Sequence, residues 1–272
     1  MTPRKILQKY WHYDDFRPLQ AEIIDSVLAG RDTLALMPTG GGKSLCFQVP
    51  TMVMCAENTQ RCSVYGEEGQ GLCLVITPLI ALMKDQVENL YQRGIQAAAV
   101  YTGMTHEEQR IALDNCLFGP YHFLYVSPER LESEEFRSRL KDLPICLIAI
   151  DEAHCISQWG YDFRPSYLRI ADIRQLFPQV PVLALTATAT PDVVDDIQER
   201  LGFRKKNVFK KSFHRDNLQY VVRYTEKKDE QILHILSRVP GSSIIYVRNR
   251  KRAQELAAWL QEQGLSADFY HA

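Results

Sequence analysis

No stretch of this chain comes near the roughly 18 consecutive apolar residues that a membrane span requires. Residues Met1 to Tyr10 also lack the apolar core of a secretory leader. The seven cysteines are an odd number without a single C-x-x-C pair, and several fall inside apolar runs that read as core strands. That pattern argues against structural zinc and for a reducing compartment. Charge of one sign is missing as well: 32 Lys and Arg stand against 33 Asp and Glu, a net charge of -1. No global field draws a polyanion, so any nucleic-acid surface has to be local. Repeats and low-complexity tracts are absent. What remains is a 272-residue chain, 46% apolar, expected to be soluble and cytoplasmic, with room for one full α/β domain and part of a second.

Four short apolar runs, 33–36, 72–76, 146–150 and 182–185, each lead into a polar, Gly- or Asp-containing segment, as short buried strands do. Between them, Leu79, Leu82, Met83, Val87 and Leu90 recur at helical spacing, and Thr105-His-Glu-Glu108 is a capping-box sequence that opens a helix over 105–116. Alternating strands and helices predict a mainly parallel sheet covered on both faces. The polar segment 55–71 reads as a surface insertion. Arg204, Lys205, Lys206, Lys210, Lys211 and Arg215 crowd together where the rhythm breaks, which suits a boundary at 212–217 and also a path for DNA. Beyond it the pattern predicts strands at 218–222, 243–247 and ending at Tyr270, with helices at 230–238 and 250–262.

The strongest chemical signal is Met37-Pro-Thr-Gly-Gly-Gly-Lys-Ser44, placed between a strand and a helix. A phosphate chain needs inward-facing backbone N–H groups, which consecutive glycines permit, and a helix N-terminus aimed at the anion. Thr39, Gly40, Gly41 and Gly42 supply the loop, Lys43 meets the outer phosphates, and Ser44 is a ligand for Mg²⁺. A carboxylate at the end of another buried strand completes such a site, and Asp151-Glu152-Ala153-His154 follows the run 146–150. Asp151 is placed to hold the metal shell, and Glu152 to orient and deprotonate the attacking water, with His154 beside it. ATP and Mg²⁺ are the expected cofactors. These residues alone would serve a kinase, a transporter or a motor.

Further segments resemble superfamily 2 helicases, and the RecQ group in particular. Tyr13-Asp-Asp-Phe-Arg-Pro-Leu-Gln20 is similar to the element that reads adenine in that family, with Gln20 for the hydrogen bonds and Tyr13 or Arg17 to stack. Leu19 and His12 stand where the family usually has glycine. Thr77-Pro-Leu-Ile-Ala-Leu-Met-Lys-Asp-Gln86 resembles motif Ia, and Tyr125-Val-Ser-Pro-Glu-Arg-Leu131 a later DNA-facing segment. Cys155-Ile-Ser-Gln-Trp-Gly-Tyr-Asp-Phe-Arg-Pro165 resembles the aromatic-rich loop of RecQ helicases, in which Trp159, Tyr161, Phe163 and Arg164 offer stacking faces and a cation for single strands. Leu185-Thr-Ala-Thr-Ala-Thr190 looks like motif III, whose hydroxyls, here Thr186 and Thr188, link the DNA and nucleotide sites.

The resemblance implies a RecA-like α/β domain over 1–211 that binds ATP, a linker at 212–217, and over 218–272 the incomplete start of a second RecA-like domain. It implies 3′-to-5′ translocation on single-stranded DNA and unwinding of duplex DNA in repair and recombination, with no membrane partner. Motifs V and VI, with the arginine that reaches the γ-phosphate, have no counterpart before Ala272, so the chain alone is expected to bind ATP and turn over poorly. An RNA helicase and an inactive nucleotide- or DNA-binding fragment stay open as alternatives.

Overall fold

The computed structural model describes residues 1–56, 71–160, 162–212 and 218–270. The insertion at 57–70, Tyr161, nearly all of the 212–217 linker and the last two residues lie outside that set. The chain separates into two compact units, 1–214 and 215–272.

Among the described residues of the first unit, seven parallel strands form one sheet: β1 (Thr33–Leu36), β2 (Leu72–Ile76), β3 (Gln96–Val100), β4 (Tyr121–Val126), β5 (Ile145–Ile150), β6 (Val182–Thr186) and β7 (Val208–Lys210). Their spatial order is β3-β4-β2-β5-β6-β1-β7. The helices of this unit are α1 (Pro3–Trp11), α2 (Gln20–Leu28), α3 (Leu45–Ala56), α4 (Ile80–Tyr91), α5 (His106–Phe118), α6 (Glu134–Leu140), α7 (Ile170–Leu176) and α8 (Pro191–Arg200). Every residue of β1, β2, β5 and β6 is buried. That explains why their sequences read as unbroken apolar runs without alternation.

The pleat divides those runs between two cores. Leu34, Leu36, Leu74, Ile76, Ile148 and Ile150 face one layer, with α5 to α8 contributing residues such as Leu113, Phe136, Ile173 and Ile197. Ala35, Met37, Cys73, Val75, Leu147 and Ala149 face the other, against Ile6, Ile23, Phe47, Met83 and Leu90 of α1 to α4. Each fully buried Leu, Ile or Val contributes about 1.5–3 kcal/mol relative to exposure, so both faces hold the sheet. The Thr105 capping box opens α5 as its sequence predicts: the hydroxyl accepts from the Glu108 N–H, and the Glu108 carboxylate accepts from the Thr105 N–H.

The second unit departs from expectation. Its helices, α9 (Lys228–Leu236) and α10 (Arg250–Glu262), form. The three predicted strands do not: among the described residues, 218–222, 243–247 and the stretch ending at Tyr270 have no ladder partner. A strand exists through its neighbours, and these segments expose the side chains a sheet would bury, with Val222 97% and Tyr246 92% exposed.

Candidate active site

A parallel sheet delivers the C-terminal ends of its strands to one edge, and the strand order fixes which segments meet there. Along that edge stand Ser127 after β4, Thr77 after β2, Asp151 and Glu152 after β5, Thr186 at the end of β6, and the glycine loop after β1. Residues more than a hundred apart in sequence are thereby adjacent. The ladder extends into the site itself: the Asp151 N–H donates to Ile76 O at 2.8 Å and the Met37 N–H to Thr186 O at 3.0 Å.

The glycine loop owes its shape to backbone that side chains resist. Gly40 and Gly42 have φ of 76° and 79°, and a Cβ on Gly41 would stand 2.8 Å from Pro38 O. Tight turns from Gly42, Lys43 and Ser44 then lead into α3. Across the loop lies the residue triplet assigned to adenine. Gln20, almost fully buried, donates from Nε2 to Gly42 O at 3.0 Å and accepts the Arg17 N–H at 2.8 Å. The Arg17 guanidinium donates to Gly40 O at 2.6 Å. In this structure both ends of the Gln20 amide are engaged by the protein's own backbone, while Tyr13 is exposed. All three residues line a cavity of about 500 Å³ together with Gly42, Ser44 and Gln86, a size typical of small-ligand sites. Leu19 and His12 both adopt the left-handed conformation, with φ of 71° and 58°. The glycines the family usually has at these places would carry that backbone without strain.

At the end of β5 the chain turns through Glu152, itself left-handed at φ 47°. Its carboxylate lies 3.9 Å from Lys43 Nζ and 3.3 Å from His154 Nδ1. That nitrogen is also 2.9 Å from Thr186 Oγ1, whose hydroxyl donates to Thr188 O at 3.2 Å. A proton on Nδ1 would serve both Glu152 and Thr186. The hydrogen bond from His154 holds Glu152 below the usual carboxylate range, with Lys43 adding to the effect against partial burial. Asp151 moves the other way: burial raises it and the neighbouring Glu152 charge adds, with Lys43 opposing. Tyr167 donates to Asp151 O at 3.0 Å and fixes the turn.

Sequence reading missed a set of amides. Gln86 donates to Ser44 Oγ at 3.0 Å and accepts from Tyr125 OH at 3.1 Å, and Gln48 donates to the same Gln86 oxygen at 3.3 Å. A signal existed, because Gln48 lies one helical turn beyond Ser44 and faces the same way. Among the described residues, the buried hydroxyls of Thr77 and Ser127 have no hydrogen-bond partner.

Behind the turn, the Arg164 N–H donates to Cys155 O at 2.9 Å and closes a loop that carries Trp159 outward, 78% exposed. Phe163 and Arg164 are half-buried, the latter paired with Asp162 at 3.4 Å. A Cβ on Gly160 would meet His154 O at 2.9 Å, so the loop packs directly on the backbone of the Glu152–His154 turn. Lys84 lies over the Tyr101 ring, and Arg130 donates to Gln109. Of the basic run, Arg204 binds Asp32 and Lys206 binds Asp195. Asp32 precedes β1, at the sheet edge opposite the glycine loop, so Arg204 ties the segment before β7 to the start of β1.

Residues 17–197 match the DEAD/DEAH box helicase family. The chain is 39% identical over its whole length to the ATP-dependent DNA helicase RecQ of Pasteurella multocida, covering 41% of that protein. It is 40% identical to RecQ of Bacillus subtilis, over 98% of this chain and 43% of the relative. Against the ATP-dependent DNA helicase Q-like 4B of Arabidopsis thaliana it is 41% identical, over 94% of this chain and 22% of the relative. The chain thus spans under half the length of these relatives. Among solved structures, the DUF1998 helicase MrfA superposes with a TM-score of 0.70 at 18% identity, over 96% of this chain and 40% of that one, a likeness of fold. Among the described residues no helix is long and apolar enough to cross a membrane.

Proposed function

The chain belongs to the DEAD/DEAH box helicase family, in its RecQ branch, and from that membership we propose that it is the ATP-driven part of a DNA helicase whose hydrolytic centre is coupled to single-stranded DNA through the loop at Trp159. The observation that carries this reading is the unbroken path from Lys43 through Glu152 and His154 to Thr186, with the Trp159 loop packed on the same turn.

The residues present fit ATP with Mg²⁺. Gly40 and Gly42 hold a backbone open to phosphate oxygens, and Lys43 adds charge beside it. Asp151 is a half-buried carboxylate whose charged form is opposed by desolvation and by Glu152, a situation that a divalent cation relieves. Ser44 and Asp151 would hold the metal, which when bound neutralises charge on the phosphate oxygens. Tyr13, Arg17 and Gln20 would take adenine, which requires Gln20 and Arg17 to release Gly42 and Gly40.

Within that arrangement the protein's own groups divide the work. Glu152 stays ionised because His154 donates to it, so it can accept a proton from an attacking water at neutral pH. Lys43 lies close enough to steady the same carboxylate before phosphate arrives. His154 and Thr186 tie the position of Glu152 to β6, and any shift of the loop carrying Trp159, Phe163 and Arg164 is felt at His154 through the Gly160 contact. Residues 1–211 form the ATP-binding domain in this reading, 212–217 the linker, and 218–272 the beginning of a second helicase domain. The family resemblance extends the proposal to 3′-to-5′ unwinding in DNA repair and recombination in the cytoplasm.

Competition binding tests the substrate class. Unlabelled single-stranded DNA should displace a fluorescent DNA oligonucleotide from the chain much more effectively than RNA of the same sequence, and Trp159→Ala should weaken DNA binding by about 1–3 kcal/mol. Equal displacement by RNA would reassign the site to RNA.

A further inference from the structure

Four segments of the first unit bring side chains together around the last residue of the glycine loop. Ser44 ends that loop, Gln48 lies one turn further along in α3, Gln86 sits midway along α4, and Tyr125 is near the end of β4. Gln86 Nε2 donates to Ser44 Oγ at 3.0 Å. At the other end of the same amide, Gln86 Oε1 accepts from Tyr125 OH at 3.1 Å and from Gln48 Nε2 at 3.3 Å. The Gln48 backbone N–H in turn donates to Ser44 O at 3.0 Å. Tyr125 and Gln48 are both buried, so these bonds form away from solvent.

Given the ATP and Mg²⁺ site proposed above, on which this rests, we propose that Gln86 is a positioning residue for the metal ligand Ser44, with Tyr125 and Gln48 clamping its amide in place. A serine hydroxyl offers two lone pairs and one proton. The Gln86 N–H occupies one lone pair, which leaves the second for a cation and the proton for an acceptor nearby. Without that donor the serine side chain is free to visit its other staggered rotamers, and a cation has to restrict it on binding. Outer partners of this kind orient metal ligands elsewhere in proteins.

The clamp has one polarity. Gln48 turns its NH₂ group to the Gln86 oxygen. Burial pushes the Tyr125 hydroxyl far above its ordinary range, so it stays protonated and donates to the same oxygen. With that oxygen taken twice, Gln86 presents its N–H to Ser44. The Phe47 ring meets the Tyr125 ring edge-on, 6.5 Å between centroids, and holds the phenol where it is. Packing alone explains less: apolar side chains would fill the space between α3, α4 and β4 without desolvating two amides and a phenol. The polar chain instead leads to Ser44 Oγ.

The test is equilibrium binding of a fluorescent ATP analogue at increasing Mg²⁺, each variant compared with its own affinity in EDTA so that any general loss of binding cancels. Gln86→Leu should raise the half-saturating Mg²⁺ concentration about 10–100-fold. Tyr125→Phe, which removes only the hydroxyl, should raise it severalfold. Ser44→Ala should raise it too, and adding Gln86→Leu to that variant should change little more, because the effect passes through the Ser44 hydroxyl. A wild-type affinity that ignores Mg²⁺ would overturn the metal site itself and this role with it. Where wild type responds to Mg²⁺ and Ser44→Ala weakens the response, an unshifted Gln86→Leu overturns the positioning role alone. A shift of equal size in the Ser44→Ala background does the same, since Gln86 would then act through the fold. If Gln86→Leu does not fold, Tyr125→Phe decides, and no shift there overturns the clamp.

Discussion

Glu152 and His154 form a pair whose chemistry can be read by titration. A carboxylate acting as base works only when ionised, and the His154 hydrogen bond holds Glu152 below its usual range. The acid limb of ATP turnover set by this group therefore lies below the ordinary glutamate region, and activity is lost as pH falls through it. His154→Ala removes the donor, so Glu152 should titrate higher and the acid limb of kcat/KM should move to higher pH. A profile that falls in amplitude without moving would show that His154 only supports the fold. His12 offers a test free of catalysis. It is exposed, caps α1 by donating its N–H to Gln8 O, and has φ of 58°. Relief of left-handed strain predicts that His12→Gly stabilises the protein by about 0.5–1 kcal/mol in urea unfolding. Of the site residues, the glycine loop and the Asp151–His154 turn were legible because short local patterns encode them. Gln86 and Gln48 were not, because their partners arrive through the order of strands.

Strand order and element ends explain both what the sequence predicted and what it did not. The buried strands β1, β2, β5 and β6 announce themselves as apolar runs. β3 does not, since Gln-Ala-Ala-Ala-Val has little apolar bulk or β-branching, and β7 is hidden inside a lysine-rich run as a three-residue edge strand. The start of β1 is held by one buried carboxylate. Asp32 accepts from Arg174 at 3.0 Å, from Arg204 Nε at 3.1 Å, and from the N–H groups of Val182 and Arg204, so it ties β6, α7 and the segment before β7 together. Asp32→Ala strands the largely buried Arg174 cation and two backbone donors, and should cost about 3–5 kcal/mol, measured as a lower urea midpoint. At the other edge, Gly160→Ala forces a Cβ against His154 O. The backbone has to give way, so the change should cost about 1–3 kcal/mol of stability and, at a temperature where the variant stays folded, weaken single-stranded DNA binding and its effect on the nucleotide site. Unchanged DNA binding would mean that the loop acts without that contact.

At the scale of the whole chain, the first unit brings the glycine loop, Asp151, Glu152, His154 and Thr186 to one sheet edge, where the proposed nucleotide site lies. The second unit forms helices, while the stretches that its sequence marks as strands remain unpaired and exposed. An apolar pattern alone predicts a strand but supplies no partner for it. In the proposed function, nucleotide and single-stranded DNA meet in the first unit through separable residues, Lys43 for one and Trp159 for the other. The most direct measurement is equilibrium binding of ATP with Mg²⁺, with and without saturating single-stranded DNA, to wild type, Lys43→Ala and Trp159→Ala. Linkage requires any effect of DNA on ATP affinity to be matched by an equal effect of ATP on DNA affinity. The structure predicts that wild type shows this coupling, that Lys43→Ala loses ATP and keeps DNA, and that Trp159→Ala keeps ATP and loses the response to DNA. ATP binding indifferent to Lys43, or a DNA response that survives in Trp159→Ala, would contradict it.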